Sequence, residues 1–425
     1  MQHARYRPAV RATALLALCL AAGSPAPAQD APAVDGPPLF EEVARTTKRL
    51  FWDQTFGGRD FDAIVERHRA RARELAGDPR ALRAHINAML GELKTSHLGL
   101  LEPEVWTHHL QPELTGKATP QLGVEWVRLG NVVRVAAVWD GGPGERAGLR
   151  RGDRLLAIDG VPPLEHPRFL PGGSDPGLPS PPGYYLVVDD DGAPDVLTMA
   201  RWDGTRYTAR PEPERMTMLD AARRSVRVIE WRGRRVGYVH LWHFLHSGMT
   251  RVLRDAIAGE FADCDALVLD VRGRGGMPMV LFNLLRQVRD ARRAGAPWAS
   301  RCATLIDGGS RSAKEIWAWR FKHEALGPVI GRRTEGAVIA AQFRPMDDGS
   351  ALMVPMADVR GMTGGELLEG VGVAPHFEVE GDLADSRGRD EILDRALEIL
   401  WEQFGLAAPA RAAAVARPAV RRRVA

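Results

Sequence analysis

Between residues 39 and 93, apolar residues recur three or four apart in three runs: LFEEVARTTKRLFWDQTF, DFDAIVERHRARARELA and DPRALRAHINAMLGEL. That spacing puts them on one face of a helix. Asp60 and Asp78 stand where an N-cap carboxylate would accept a free N–H, and Gly57-Gly58 marks a stop. From about residue 119 the pattern changes to short strands and turns. QLGVEWVRLGNVVRVAAVW predicts two strands about a Gly130-Asn131 turn, and VLTMARWDGTRYTARPEPE a hairpin about Asp203-Gly204. Residues 162–184 are rich in Pro and Gly and predict a loop or insertion. From about 225, strands (VRVIEW, RVGYVHLWHF, ALVLDVRG, ATLIDGG, PVIGRRT) alternate with helices (249–260, MVLFNLLRQVRDARRAG, SAKEIWAWRFKHEA). Such alternation predicts an α/β layer on a buried parallel sheet, with functional groups beyond the carboxyl ends of the strands. Residues 273–276 and 310–312 fall at two such ends.

Composition adds a compartment to this picture. The chain has 425 residues, enough for two or three domains, and 45% hydrophobic and 26% charged residues, ordinary globular values. Arg5, Arg7 and Arg11 precede the apolar stretch ATALLALCLAAG, which is too short to span a bilayer, and the APA at 26–28 suits cleavage before Gln29. We therefore expect residues 1–28 to be a signal peptide and the protein to be exported, periplasmic or secreted. Leu18, before Cys19, speaks against a lipidation signal. Removing three arginines and no acid lowers the formal charge from +3 to about zero, which argues against a nucleic-acid surface. Cys264 and Cys302 would remain, either bridged or as two buried thiols. No later stretch is apolar enough for a membrane helix, and the tail from 406 is Ala/Arg/Pro-rich and expected to be disordered.

Candidate chemistry centres on DGGSRSAKEIW, residues 307–317. Ser312-Ala313-Lys314-Glu315 fits the capping box, in which serine and glutamate satisfy each other's backbone N–H groups. The same serine is a candidate nucleophile, and the two readings are compatible at a helix start. Other candidates are weaker. His240, His243 and His246 recur every three residues, but i and i+3 point to opposite faces of a strand, so no metal site is expected. His108-His109 reads as a solvated loop pair, and His323 as a helix face. Trp317 and Trp319 read as packing, and Asp189, Asp190 and Asp191 as an acidic turn.

Residues 122–161, with Leu122-Gly123-Val124 and AGLRRGDRLLAIDG, resemble a bacterial-type PDZ domain. Around them FWDQTFGGRDFD, MLGELKTSHLGLL, RVGYVHLWHF, ALVLDVRGRGG, GGSRSAKEI and ELLEGVGVAP resemble, in order, the blocks of the C-terminal processing and tricorn-type serine peptidases. The resemblance spans about 39–400. It implies a multidomain α+β protein: an N-terminal helical domain (29–100), a PDZ domain (116–208) and an α/β crotonase-like (ClpP-like) peptidase core (222–402).

The processing branch places a catalytic lysine 25 residues after the serine, and that count lands on Ala337. The tricorn-like branch instead implies Ser312 as nucleophile, His97 as base, and Glu369 with Ser96 to support the histidine. A serine hydroxyl needs a base near neutrality, and the base needs a group to fix its tautomer. The resemblance further implies an oxyanion hole from Gly275, Gly276 and Ala313. It also implies a carboxylate-binding loop at Leu122, Gly123 and Val124, beside a strand edge to which a peptide adds. Two positions depart from the pattern: Arg274, where Asn is usual, and His376, where Asp is common. The expectation is an exported serine endopeptidase acting on peptides or unfolded proteins without metal or cofactor. Its alternatives are a catalytically silent peptide-binding protein on the same fold and a carrier of small hydrophobes.

Overall fold

The computed structural model describes residues 36–172, 175–178, 183–188, 195–381 and 383–405. The expected signal peptide, the tail from 406 and the acidic triplet at 189–191 lie outside the described residues.

Three amphipathic helices come first: α1 (Pro38–Leu50), α2 (Phe61–Glu74) and α3 (Pro79–Gly91). Asp60 and Asp78 cap the second and third by accepting from Ala63 and Ala81. The first helix stops at Leu50, short of the glycines. Phe51 turns to extended backbone and so stacks on Phe56, which stacks on Phe61, with ring centroids 5.0 and 4.8 Å apart. The apolar faces do not close on themselves. Phe40, Ile86, Met89 and Leu90 pack with Leu352 and Val354, which arrive from a hairpin some 300 residues later.

After α3 come β1 (Gly99–Leu101) and α4 (Pro103–Val105). A π-helical turn (Trp106–Leu110) then leads into α5 (Gln111–Thr115) and β2 (Thr119–Gln121). A seven-stranded antiparallel sheet follows. It is built from β3 (Val124–Leu129), β4 (Val132–Val138), the one-turn α6 (Pro143–Arg146), β5 (Arg154–Ile158), β6 (Phe169–Pro171), β7 (Gly183–Leu186), β8 (Leu197–Ala200) and β9 (Arg206–Ala209). Its order is β6-β7-β3-β4-β5-β8-β9. The Pro/Gly-rich segment expected to be a loop thus supplies two strands. Phe169 of β6 stacks on Tyr184 of β7 at 5.0 Å and meets Trp126 of β3 edge-on, which seats β7 on β3.

The chain continues through β10 (Glu214–Met216), α7 (Met218–Ser225), β11 (Arg227–Trp231), β12 (Arg234–His240), α8 (Gly248–Ala258), β13 (Ala266–Asp270), α9 (Pro278–Arg293), β14 (Cys302–Ile306), α10 (Ala313–His323) and β15 (Val329–Gly331). Strands β12 to β15 run parallel, as expected, with β11 antiparallel at one edge and β18 (Phe377–Glu378) parallel at the other. Alternate residues of β13 face opposite cores. Leu267 and Leu269 pack with α8, α9, α10 and Trp298, while Ala266 and Val268 pack with α11 (Glu391–Glu402). Burial on both faces explains the unbroken apolar run ALVL. Cys264 and Cys302 are buried and unbridged, and burial pushes their thiols up to about 11 and about 12.

Between β15 and β18, the hairpin of β16 (Ile339–Pro345) and β17 (Ala351–Asp358) leaves the parallel sheet. It pairs with β1, Gly99 opposite Met353. This hairpin belongs to the later part of the chain yet closes the core of the first helices. It therefore fixes the segment just before β1 against the region around residue 337.

Phe40 is fully buried in that shared core. Phe40→Ala should lower unfolding free energy by about 3–5 kcal/mol, read from urea denaturation. A loss below about 1 kcal/mol would mean that the helices do not depend on the hairpin.

Candidate active site

The α10 helix begins one residue after Ser312, which holds a strained left-handed backbone (φ 56°, ψ −123°). Its N–H is accepted by Ala337 O (2.8 Å) and by Glu315 Oε2 (3.1 Å), the glutamate half of the expected capping box. Glu315 also accepts from Thr334 Oγ1 and from the N–H groups of Gly336 and Ala337 (2.6–2.8 Å). Burial pushes its carboxyl up to about 7, against the pull of those donors. The position where the processing branch has its lysine is thus a direct neighbour of Ser312, and it holds a fully buried alanine.

Ser96 and His97 lie in the turn before β1. Glu369 comes from the loop after β17. The structure brings all three together. Glu369 Oε1 accepts from Ser96 N (2.9 Å), and Oε2 from Ser96 Oγ (3.0 Å) and Val338 N (2.7 Å). Ser96 Oγ lies 2.8 Å from His97 Nδ1. With the serine proton given to the carboxylate, Oγ accepts from Nδ1–H, which leaves Nε2 as the basic nitrogen. Burial, and next the Arg311 guanidinium, push His97 down to about 3, with Asp175 opposing, so the ring is neutral at pH 7. No hydrogen bond joins His97 to Ser312 among the described residues.

Three further residues shape this site and were not singled out from the sequence. Asp175, between β6 and β7, accepts from His97 N–H (2.5 Å) and holds that residue at φ 58°. The same carboxylate takes a two-pronged ion pair from Arg311, the residue before the serine. Lys314 is fully buried beside the turn at 272–273. Long-range partners of single Asp, Arg and Lys residues leave no spacing signal in a sequence.

Gly275 and Gly276 lie in the turn after β13. A Cβ on Gly275 would come within 3.0 Å of Ser312 Cβ, and one on Gly276 within 2.5 Å of three Phe244 atoms. Gly276 also has φ 155°, so only glycine fits here. The turn is pinned by Phe244 N–H to Gly275 O and Met277 N–H to Phe244 O, both 2.9 Å. Among the described residues, the N–H groups of Gly275, Gly276 and Ala313 have no acceptor.

Arg274, the unusual residue of this turn, reaches out of it. Its guanidinium pairs with Glu125 of β3 (2.8 Å) and bonds Tyr185 Oη of β7. The departure from the pattern therefore ties the seven-stranded sheet to the glycine turn. His376 contacts β15, with Nδ1 accepting from Val329 N–H (3.0 Å), and is solvent-exposed.

Two expectations need correction. The β3 edge expected to receive a peptide strand is filled by β7 at Trp126 and Val127. Leu122, Gly123 and Val124 stand just before that point. Leu122 O accepts from Gly144 N–H, and Gly123 O from Trp139 N–H. His109, expected to be solvated, meets the Tyr185 ring at a tilt, with centroids 4.6 Å apart and Nε2 enclosed, because the segment is a π-helical turn and not an open loop. The other histidines have separate partners. His243 Nε2 lies 3.0 Å from Glu113, and His240 Nε2 lies 3.3 Å from Arg272 O. His243 lies beyond the end of β12, so the strand argument never applied to it. Among the described residues no cluster of His, Cys, Asp or Glu could hold a metal ion.

A cleft of about 1540 Å³ runs between the seven-stranded sheet and the carboxyl ends of the parallel strands. Its wall includes Glu125, Tyr185, His240, Gly273 and Asp307, and it reaches Asp175 and Arg311. Ser312 and His97 stand directly behind that last pair.

Residues 235–379 match peptidase family S41, and residues 134–167 match a PDZ domain. Tricorn protease homolog 2 of Streptomyces coelicolor is 29% identical over 89% of this chain, and the match covers 33% of its own length. The chloroplastic C-terminal processing peptidase of Tetradesmus obliquus is 25% identical over 80% of this chain and 77% of its own. The chain thus spans about a third of the length of the Streptomyces relative. A mutant of CPAF aligns over 88% of this chain and 99% of its own with a TM-score of 0.50 and 11% identity, a likeness of fold alone. The stretch that matches the S41 peptidase family thus has the stretch that matches a PDZ domain on its N-terminal side.

Proposed function

We propose that this chain is an exported serine endopeptidase of the tricorn-like branch, acting on peptides or unfolded proteins with Ser312, His97, Glu369 and Ser96. The observation that carries the reading is the hydrogen-bonded series Glu369–Ser96–His97, which fixes a neutral imidazole with Nε2 free. It sits beside a serine in strained backbone at a helix start. The N-terminal helical domain supplies the histidine and the crotonase-like core the nucleophile.

His97 Nε2 takes the Ser312 proton as Oγ attacks the peptide carbonyl. The oxyanion forms against Gly275, Gly276 and Ala313, whose N–H groups are unclaimed and lie at the positive end of the α10 dipole. The imidazolium then protonates the leaving amine, and water completes hydrolysis by the same route. Glu369, working through the Ser96 hydroxyl, stabilises that imidazolium. Substrate enters along the cleft. The loop at Leu122, Gly123 and Val124 captures a chain end, while β7 limits strand addition to the part of β3 next to that loop.

The purified protein should cut unfolded casein. Ser312→Ala and His97→Ala should each lose at least about 10⁴-fold in kcat, and Glu369→Gln about tenfold to a hundredfold, in variants with unchanged melting temperature. Wild type that folds and does not cut, while binding peptides, would favour the catalytically silent binder.

The pH profile gives a separate check. Since His97 is pushed down to about 3, it stays a free base at pH 5, and kcat/KM should show no histidine limb near 6.5. Any limb near 7, rising with pH, belongs to Glu315 and should vanish in Glu315→Gln. A limb at 6.5 that survives that substitution would contradict the assignment of a buried neutral base.

A further inference from the structure

Lys314 is fully buried on the first turn of α10, two residues after Ser312. Among the described residues no carboxylate bonds it. Its Nζ donates to three carbonyls: Trp242 O (2.9 Å), Arg272 O (3.0 Å) and Gly273 O (2.8 Å). Two of these open the glycine turn, and the third belongs to the segment that pins the turn through Phe244. Three acceptors match the three protons of an ammonium, and Arg272 O is also approached by His240 Nε2 (3.3 Å). Burial pushes Lys314 down to about 7, with Asp270, Asp307 and Glu125 opposing and Arg274 adding to the push. A lysine kept at this cost in a chain with only five lysines needs a reason beyond packing.

The geometry supplies one. Donors from two segments must meet one oxyanion: Gly275 and Gly276 in the turn, and Ala313 at the start of α10. Their relative height is set where the turn leaves β13, and there the ammonium bridges the turn to the helix that carries Ser312. The gap between Gly275 and Ser312 is too narrow for a side chain, since a Cβ on Gly275 would come within 3.0 Å of Ser312 Cβ, and the ammonium holds the start of the turn to the helix beside that gap.

We propose that Lys314 is a positioning residue that holds the glycine turn at the distance from Ser312 at which both sets of N–H groups reach the same oxyanion. It is not the base: all three of its protons go to carbonyls. This inference rests on the Ser-His reading above and adds to it the residue that aligns the two halves of the oxyanion site.

The test compares wild type with Lys314→Met and Lys314→Gln, all checked for folding by thermal melting. Three quantities are measured: kcat/KM on a peptide amide, the Ki of a peptide aldehyde whose adduct carries the oxyanion, and the Ki of the matching product peptide. For Lys314→Met, kcat/KM should fall about 100-fold and the aldehyde Ki rise by a similar factor. The product Ki should stay within about threefold. Lys314→Gln, which keeps two donors, should fall between. Equal loss of aldehyde and product affinity, unchanged aldehyde affinity, or failure of both variants to fold would each overturn the proposal and leave Lys314 a stability residue. A wild type that neither cleaves nor binds the aldehyde would instead sink the peptidase reading itself.

Discussion

One carboxylate holds the site together. Glu369 accepts three hydrogen bonds, two from Ser96 and one from Val338, and so joins the turn before β1, the segment leading into β16 and its own loop. These segments are up to 273 residues apart in the chain. Ser96 is fully buried, so its N–H and hydroxyl would be left without this acceptor if Glu369 moved away, and the three segments support one another. The same bonds set the chemistry: the carboxylate orders the Ser96 hydroxyl, and the hydroxyl orders the His97 ring. Assembly of this corner and a basic Nε2 are one event.

The larger frame serves that corner. Because β1 pairs with β17, and β16–β17 closes the core of the first helices, the histidine segment cannot drift from the later part of the chain without opening an apolar cluster. Around the serine, strain is held in place by neighbours. Left-handed backbone occurs at His97, Arg274 and Ser312, and each is fixed by an ion pair or buried carboxylate: Asp175 for the first, Glu125 for the second, Glu315 for the third. Asp175 and Glu125 both come from the seven-stranded sheet region. That sheet therefore bears on both the histidine and the glycine turn.

Much of this was legible in the sequence, for identifiable reasons. Helical periodicity, the Asp60 and Asp78 caps and the unbroken apolar strands are local signals, and they predicted elements that formed. Ser96, His97 and Glu369 were found by resemblance, and their convergence depends on a hairpin whose pairing with β1 no local pattern announces. The Pro/Gly-rich stretch at 162–184 hid β6 and β7, strands of three and four residues whose reason to pair is the distant Trp126. Arg274 read as a defect because its partners, Glu125 and Tyr185, are 149 and 89 residues away. Lys314 entered only as an inner position of the capping box, since nothing in SAKEIW shows that its side chain turns inward to three carbonyls.

The most direct test of the account is covalent labelling of the folded protein with a fluorophosphonate, followed by peptide mapping. Because attack on phosphorus needs both the serine and its base, the account predicts one modified residue, Ser312, with labelling slowed strongly in His97→Ala and in Glu369→Gln. Labelling at another serine, or labelling of Ser312 at the same rate without His97, would contradict it.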